Sequence, residues 1–166
     1  REKIKARLRR VLRQKLGELR LKAYNKSTKV KALSRAKVNL HLQVLGKRSD
    51  GYHFLDSLVA FPSVGDDIFI ELAEEITLEI GGTFGGDLPI AKNLILTAAN
   101  LLHKGSLGAL ITLNKELPIS SGLGGGSSNA AVVLKVLSKL WDQPLPTITQ
   151  LVSLGADVPV CLNWHL

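Results

Sequence analysis

Residues 118–131 read PISSGLGGGSSNAA, and the rest of the chain is arranged around them. Between Ser121 and Ser128 every residue except Leu123 is glycine or serine. Such a loop is costly to order, because glycine loses more backbone freedom on folding than any other residue. It makes physical sense where backbone must approach something closely. The loop lies between a strand pattern, Ala109–Asn114, and a helix pattern, Ser127–Trp141. Ser127 or Ser128 is placed to cap that helix. Loop amides and the helix N-terminus then converge on one point of partial positive charge, which suits a phosphate. The competing reading is a flexible linker, which the shortness of the run and its ordered flanks disfavour. A Walker A loop ends in Gly-Lys-Ser/Thr, and there is no lysine here. The dinucleotide pattern GxGxxG fails at its third glycine, where Ser127 stands. The stretch is a Gly/Ser-rich anion loop of another kind.

The 166 residues suffice for one domain with a real core. A hydrophobic content of 45% predicts a soluble globular domain, and no apolar run reaches the length that spans a bilayer. The single cysteine, Cys161, excludes an internal disulfide framework and predicts a reducing, cytoplasmic setting. The four histidines and the cysteine show no metal-ligand spacing, so no metal-ligating residue is assigned. The chain has no methionine and starts at Arg1, so it reads as a fragment or a trimmed piece of a longer product.

The net charge of +8 is unevenly distributed. Residues 1–35 hold 14 Lys/Arg and 2 Asp/Glu; the remaining residues hold 8 and 12. The basic character is therefore an N-terminal extension, not a property of the body. Ile4, Leu8, Leu12, Leu16 and Leu19 fall on one face of a possible amphipathic helix over residues 1–22. That helix can be solvated or packed on a partner, can be a basic arm for RNA, DNA or an anionic membrane, or can reflect only where the chain was started. No aromatic residue interleaves the basic ones before Tyr24, which argues against a nucleic-acid role.

Further along, residues 34–45 alternate in the strand manner. Val38, Leu40, Leu42 and Val44 share one face, and Lys37, Asn39, His41 and Gln43 the other. Lys37 and Asn39 can then stand side by side over a cleft, unless the polar face is simply wet. Residues 46–53, GKRSDGYH, form a turn that carries Tyr52 and His53. A ring beside an imidazole can stack on a flat ligand and hydrogen-bond its edge; a buried tyrosine and an exposed histidine is the plainer alternative. Residues 54–61 and 66–80 predict strands, 81–87 a glycine-rich connector, and Lys92–His103 a helix. Thr147–Leu154 predicts a short helix ended by Gly155. Asp157 then precedes a strand-like apolar run over 156–162, as a turn former or as a site residue. Strands and helices mix without strict alternation, so the fold class is α+β.

Several segments occur here in an order that resembles the GHMP kinases, the superfamily of galactokinase and the homoserine, mevalonate and phosphomevalonate kinases. They are Ala36-Lys37-Val38-Asn39-Leu40, Gly51-Tyr52-His53, Asn93-Leu94-Ile95, Pro118–Ala131 and Leu154–Pro159. The pairing of AKVNLHL with RSDGYH resembles the branch whose substrate is a methylerythritol linked to cytidine diphosphate. The resemblance runs from about Ser34 to Leu162. It implies a fold similar to the second domain of ribosomal protein S5, over residues 34–166, followed in the family by a further C-terminal domain. Residues 1–33 match nothing in it, and Asn163–Leu166 do not resemble the expected continuation.

By this resemblance the activity is ATP-dependent phosphorylation of a hydroxyl on the methylerythritol unit, a step of non-mevalonate isoprenoid synthesis. Pro118, Ile119, Ser120, Ser121, Gly122, Leu123, Gly124, Gly125, Gly126, Ser127 and Ser128 would wrap the ATP phosphates, and Asn93 would lie near the nucleotide. Tyr52 and His53 would hold the cytosine, with Asn39 also on the substrate. Lys37 and Asp157 would be the catalytic pair. Asp157 would take the proton of the attacking hydroxyl, and Lys37 would keep that carboxylate charged and oriented. Mg²⁺ would arrive with the nucleotide; Ser127 or Ser128 is a candidate contact by its hydroxyl alone. Two other readings stand beside this one: another small-molecule kinase of the superfamily, and a nucleic-acid-binding domain of S5-like fold with a basic arm. Apolar surface is expected to be exposed where a further domain would pack.

Overall fold

A computed structural model describes residues 29–164 apart from Asp50, Tyr52, Asp87 and Ser106. The amphipathic segment 1–22 and Tyr52 lie outside the described residues. The chain runs β1 (Val30–Arg35), β2 (Val38–Lys47), β3 (His53–Ala60), β4 (Gly65–Ala73), β5 (Ile76–Gly81), α1 (Leu94–Leu102), β6 (Gly108–Asn114), α2 (Gly125–Trp141), α3 (Ile148–Leu154) and α4 (Val158–Trp164). The mixed α+β class is as expected. β1 starts inside the stretch read as an extension and pairs there with β4.

Four strands form a sheet in the order β1-β4-β6-β5. β4 is antiparallel to β1 and β6, and β5 is parallel to β6. The parallel pair requires a crossover, and α1 supplies it. Period-two alternation decides which face is buried. Ile68 and Ile70 of β4 and Ala109, Ile111 and Leu113 of β6 point into the core, against Ala98 and Ala99 of α1 and Val133, Leu134 and Leu137 of α2. The opposite face is charged: Lys29 pairs with Glu71 at 3.1 Å and Lys31 with Asp67 at 2.9 Å. Among the described residues the sheet thus carries its helices on one side only.

β2 and β3 form a separate two-stranded ribbon. Leu40 and Leu45 have no partner in its register, so two bulges break the strict alternation expected over 34–45. Leu40, Leu42, Val44, Leu45, Phe54, Leu55 and Leu58 are all more than half exposed. The apolar face read from the sequence is present, but nothing among the described residues covers it.

Three expectations need correction. The segment 156–162 is not strand-like: Val158–Trp164 is helical, with Val158, Cys161 and Leu162 buried at the i, i+3, i+4 spacing of one helix face. Pro159 is tolerated because it falls in the first turn, where its missing amide has no helical acceptor. The loop's helix starts at Gly125, two residues before the expected Ser127. Its N-cap is Gly124, in the left-handed region at φ 62°, and no side chain caps it, so neither Ser127 nor Ser128 is the cap. The helix expected over Lys92–His103 is shorter, because Asn93 is its N-cap and accepts from the Ile95 amide at 3.0 Å.

Candidate active site

The Gly/Ser loop leaves β6 through Lys115–Leu117 and enters α2 at Gly125. Because Gly124 caps the helix without a side chain, the first intrahelical bond runs from the Ser128 amide to the Gly124 carbonyl, 2.9 Å. The amides of Gly125, Gly126 and Ser127 precede that bond and have no acceptor within the helix. They sit on a cleft of about 400 Å³ lined by Asn93 and the whole loop from Pro118 to Ser127, with Lys115 and Asn129 at its base. A Cβ on Gly122 or Gly126 would meet no atom within 4 Å. Backbone is therefore open to the cleft at both positions. Ser128 departs from the expected set: it is fully buried inside α2 and does not line the cleft.

Gly124 joins this cleft to a second group of residues. The Lys37 amide donates to the Leu123 carbonyl at 2.8 Å, and a Cβ on Gly124 would stand 2.9 Å from Lys37 Cβ. Only glycine fits there, on both conformation and space. Lys37 lies in the break between β1 and β2 and is buried, 4% exposed. Its Nζ donates to Asn39 Oδ1 at 3.0 Å and pairs with Asp157 Oδ1 at 3.2 Å. Ser57 of β3 donates to the same Asn39 oxygen at 3.3 Å. Asp157 sits in the α3–α4 turn with its side chain about half exposed. A buried ammonium thus orients a carboxylate that solvent, or a substrate hydroxyl, can reach. Lys37, Asn39, Asp157 and the loop are brought together.

His53 stands apart from that group. It opens β3 opposite Lys47, six residues from Val59, which pairs with Asn39. At 3.3 Å per residue this is roughly 20 Å along the ribbon. Asn93 borders the loop cleft, with its side-chain oxygen already used as the α1 cap.

A further set was not singled out in the sequence. Asp66 is fully buried and accepts from Lys115 Nζ at 2.8 Å and Asn129 Nδ2 at 3.0 Å, directly beneath the loop. The signal was available. Asp66 is in phase with Ile68 and Ile70 on β4, Lys115 with Ile111 and Leu113 on β6, and Asn129 with Val133 and Leu137 on α2. Each continues an apolar stripe inward with a polar residue.

Comparison with known proteins agrees with this geometry. The family pattern described as "GHMP kinases N terminal domain" matches residues 93–163, the span from the α1 cap through the loop to α4. The chain carries a GHMP kinase N-terminal domain. A 4-diphosphocytidyl-2-C-methyl-D-erythritol kinase of Cereibacter sphaeroides is 53% identical over 133 residues, which cover 80% of this chain and 47% of that protein. The protein of the same name from Ruegeria pomeroyi is 48% identical over 134 residues, 80% of this chain and 48% of that one. A crystal structure of 4-(cytidine 5'-diphospho)-2C-methyl-D-erythritol kinase matches with a TM-score of 0.67 and 38% identity, over 81% of this chain and 49% of that one. The chain spans about half the length of the curated relatives it matches. No helix among the described residues is long and apolar enough to cross a membrane.

Proposed function

We propose that this GHMP domain is the ATP-binding part of a kinase acting on 4-diphosphocytidyl-2-C-methyl-D-erythritol, in non-mevalonate isoprenoid synthesis in the cytoplasm. The observation that carries the reading is the Lys37–Asp157 pair abutting Gly124, at the exit of a loop whose amides line a cleft. The names of the relatives supply the substrate class.

The loop residues fit a polyphosphate. The amides of residues 125–127 lack helical acceptors, and the open positions at Gly122 and Gly126 let phosphate oxygens reach the backbone. Aimed at the γ-phosphoryl group, such amides stabilise charge that develops during transfer. Mg²⁺, carried by the nucleotide, would neutralise phosphate charge. No group of three or more His, Cys, Asp or Glu among the described residues could hold a metal by itself. Of the two serines considered for Mg²⁺, Ser127 borders the cleft and is the better placed.

Asp157 takes the proton of the acceptor hydroxyl as that oxygen bonds to the γ-phosphorus of ATP and the bond from that phosphorus to the leaving ADP breaks. Lys37 holds the carboxylate in place, and Asn39 fixes Lys37. His53, at the far end of the β2–β3 ribbon, binds the cytosine together with Tyr52. A diphosphate between base and methylerythritol gives the substrate the extended shape this separation asks for. The exposed leucines of the ribbon are where the second half present in the relatives would pack.

The test is phosphorylation of this substrate by ATP, with the chain alone and with the chain joined to the C-terminal half of a curated relative. Transfer in the joined protein, lowered about a hundredfold or more by Asp157→Asn and inhibited by cytidine nucleotides, is expected. Transfer that ignores cytidine nucleotides would move the substrate to another member of the superfamily. Absence of ATP binding in both proteins would overturn the reading.

A further inference from the structure

We propose that Asp66, with Lys115 and Asn129, is the positioning group of the Gly/Ser loop: one buried carboxylate fixes both ends of the loop and so holds its amides ready for the nucleotide. The inference rests on the proposed ATP site and adds residues that take no part in the chemistry.

The hydrogen bonds carry it. Asp66 Oδ1 accepts from the amides of Glu116 and Leu117, both at 2.8 Å, and from Lys115 Nζ at 3.0 Å. These residues are the last before the loop. Oδ2 accepts from Lys115 Nζ at 2.8 Å and from Asn129 Nδ2 at 3.0 Å, on the helix that receives the loop. Lys115 Nζ also donates to the Leu117 carbonyl at 2.6 Å. The backbone of Lys115 is held from its other side, its amide donating to the Gly81 carbonyl and its carbonyl accepting from the Phe84 amide. Lys115 is thereby fixed by β5 and its connector as well as by Asp66.

Two physical arguments separate this from an ordinary core ion pair. First, well-packed apolar residues usually fill a buried site at no loss of stability, so a buried pair is weak grounds for stability and better grounds for fixing one geometry. Here that geometry is the spacing of the loop's two ends. Second, a carboxylate only accepts, so it dictates the orientation of every donor around it. It turns the Asn129 amide nitrogen inward and leaves Asn129 Oδ1 buried without a partner. An unpaired buried acceptor carries a real penalty, and the Asp66 contact offsets it. A glycine-rich loop has no side chains with which to order itself, so the fixing has to come from its anchors.

The experiment measures ATP affinity and residue-resolved amide hydrogen exchange for the wild-type chain, Asp66→Asn, Asn129→Ala and the control Asp67→Asn. Asp67 neighbours Asp66 but lies on the opposite face of β4, paired with Lys31. In Asp66→Asn and Asn129→Ala, exchange is expected to accelerate at least tenfold at the amides of Lys37 and Ser128, which donate to the loop carbonyls of Leu123 and Gly124, with α1 and β6 unchanged, and the dissociation constant for ATP to rise at least tenfold. Asp67→Asn should leave both within twofold. A merely structural role would instead loosen the whole domain together. If Asp66→Asn does not fold, Asn129→Ala decides, since it keeps the Asp66–Lys115 pair. Unchanged exchange at the Lys37 and Ser128 amides in a folded variant would overturn the inference, whatever the ATP result. A wild-type chain that binds no ATP would instead sink the proposed function, and exchange would still report on the anchor.

Discussion

Lys37 Nζ lies 3.2 Å from Asp157 Oδ1, with the lysine buried and the carboxylate about half exposed. The two come from opposite ends of the described chain, one in the β1–β2 break and one in the α3–α4 turn. This asymmetry is the basis of the roles proposed for the pair. The exposed partner can meet a substrate, and the buried one can only orient it. Asp157→Asn is expected to lower kcat by about 10²–10⁴-fold, the usual contribution of a positioned base. Lys37→Met should lower kcat while leaving ATP affinity within a few-fold. Single-turnover phosphoryl transfer in the joined protein checks both, and near-normal turnover by Asp157→Asn would remove that residue from the mechanism.

Gly124 and Gly126 make opposite demands. Gly124→Ala puts a Cβ in the left-handed region and within 2.9 Å of Lys37 Cβ. It should destabilise the domain by about 1–2 kcal/mol. At Gly126, by contrast, the added methyl meets open space. Gly126→Ala should leave the melting temperature unchanged or raise it, since alanine is the better helix former by up to about 1 kcal/mol. In the proposed site its methyl would nonetheless stand over the amides that meet phosphate, so ATP should bind at least tenfold more weakly. Thermal melts beside ATP titrations separate the two variants, and equal ATP affinity for Gly126→Ala and wild type would count against a phosphate at that position.

Burial, and then the negative charge of Asp157, push the Cys161 thiol up to about 12, with Lys37 opposing. The folded thiol holds its proton more tightly than the unfolded one. Its contribution to stability is therefore full below the free thiol's range and is lost as pH rises through the folded value. Iodoacetamide at pH 8 should leave the native chain unmodified over hours and alkylate it within minutes once denaturant is added. Mass spectrometry follows the adduct; rapid labelling of the folded protein would show that α4 does not seal the thiol.

Thr147 and Gln150 form a reciprocal cap at the start of α3, the helix that carries the chain to Asp157. Thr147→Ala should cost about 1 kcal/mol. Chemical denaturation reads this as a lower midpoint with an unchanged slope. No change in midpoint would mean that α3 is held by Leu151 alone.

The leucines of the β2–β3 ribbon offer a converse check. Leu42 is 53% and Leu58 61% exposed. Replacing both by lysine should change stability by no more than about 0.5 kcal/mol per site, as for ordinary surface positions, and should reduce binding of a hydrophobic dye. A loss of several kcal/mol would mean that the ribbon packs on the core.

Local patterns made much of this legible. Alternation at Ile68–Ile70 and at Ala109–Leu113, the helical stripe ending at Trp141, and the Thr147 and Gly155 boundaries are short-range consequences of side-chain period and turn chemistry. Where the reading failed, a local signal met a tertiary one. Ser127 looked like a cap, but Gly124 took that place because the chain must pass against Lys37. Residues 156–162 looked strand-like because an apolar run of that length fits either structure, and burial on α2 selected the helix.

By itself the sequence determined the Gly/Ser loop, the α+β class and the segments in which the candidate site residues stand. Each rests on residue type and spacing, which act over a few residues. Only the tertiary structure decided that Lys37 meets Asp157, that Asp66 reaches both ends of the loop, and that the apolar face of β2–β3 is uncovered. These are relations between residues far apart along the chain. Side-chain periodicity tells which face of an element turns inward but not which element it will meet there; that is settled when strand pairing and helix packing close the core.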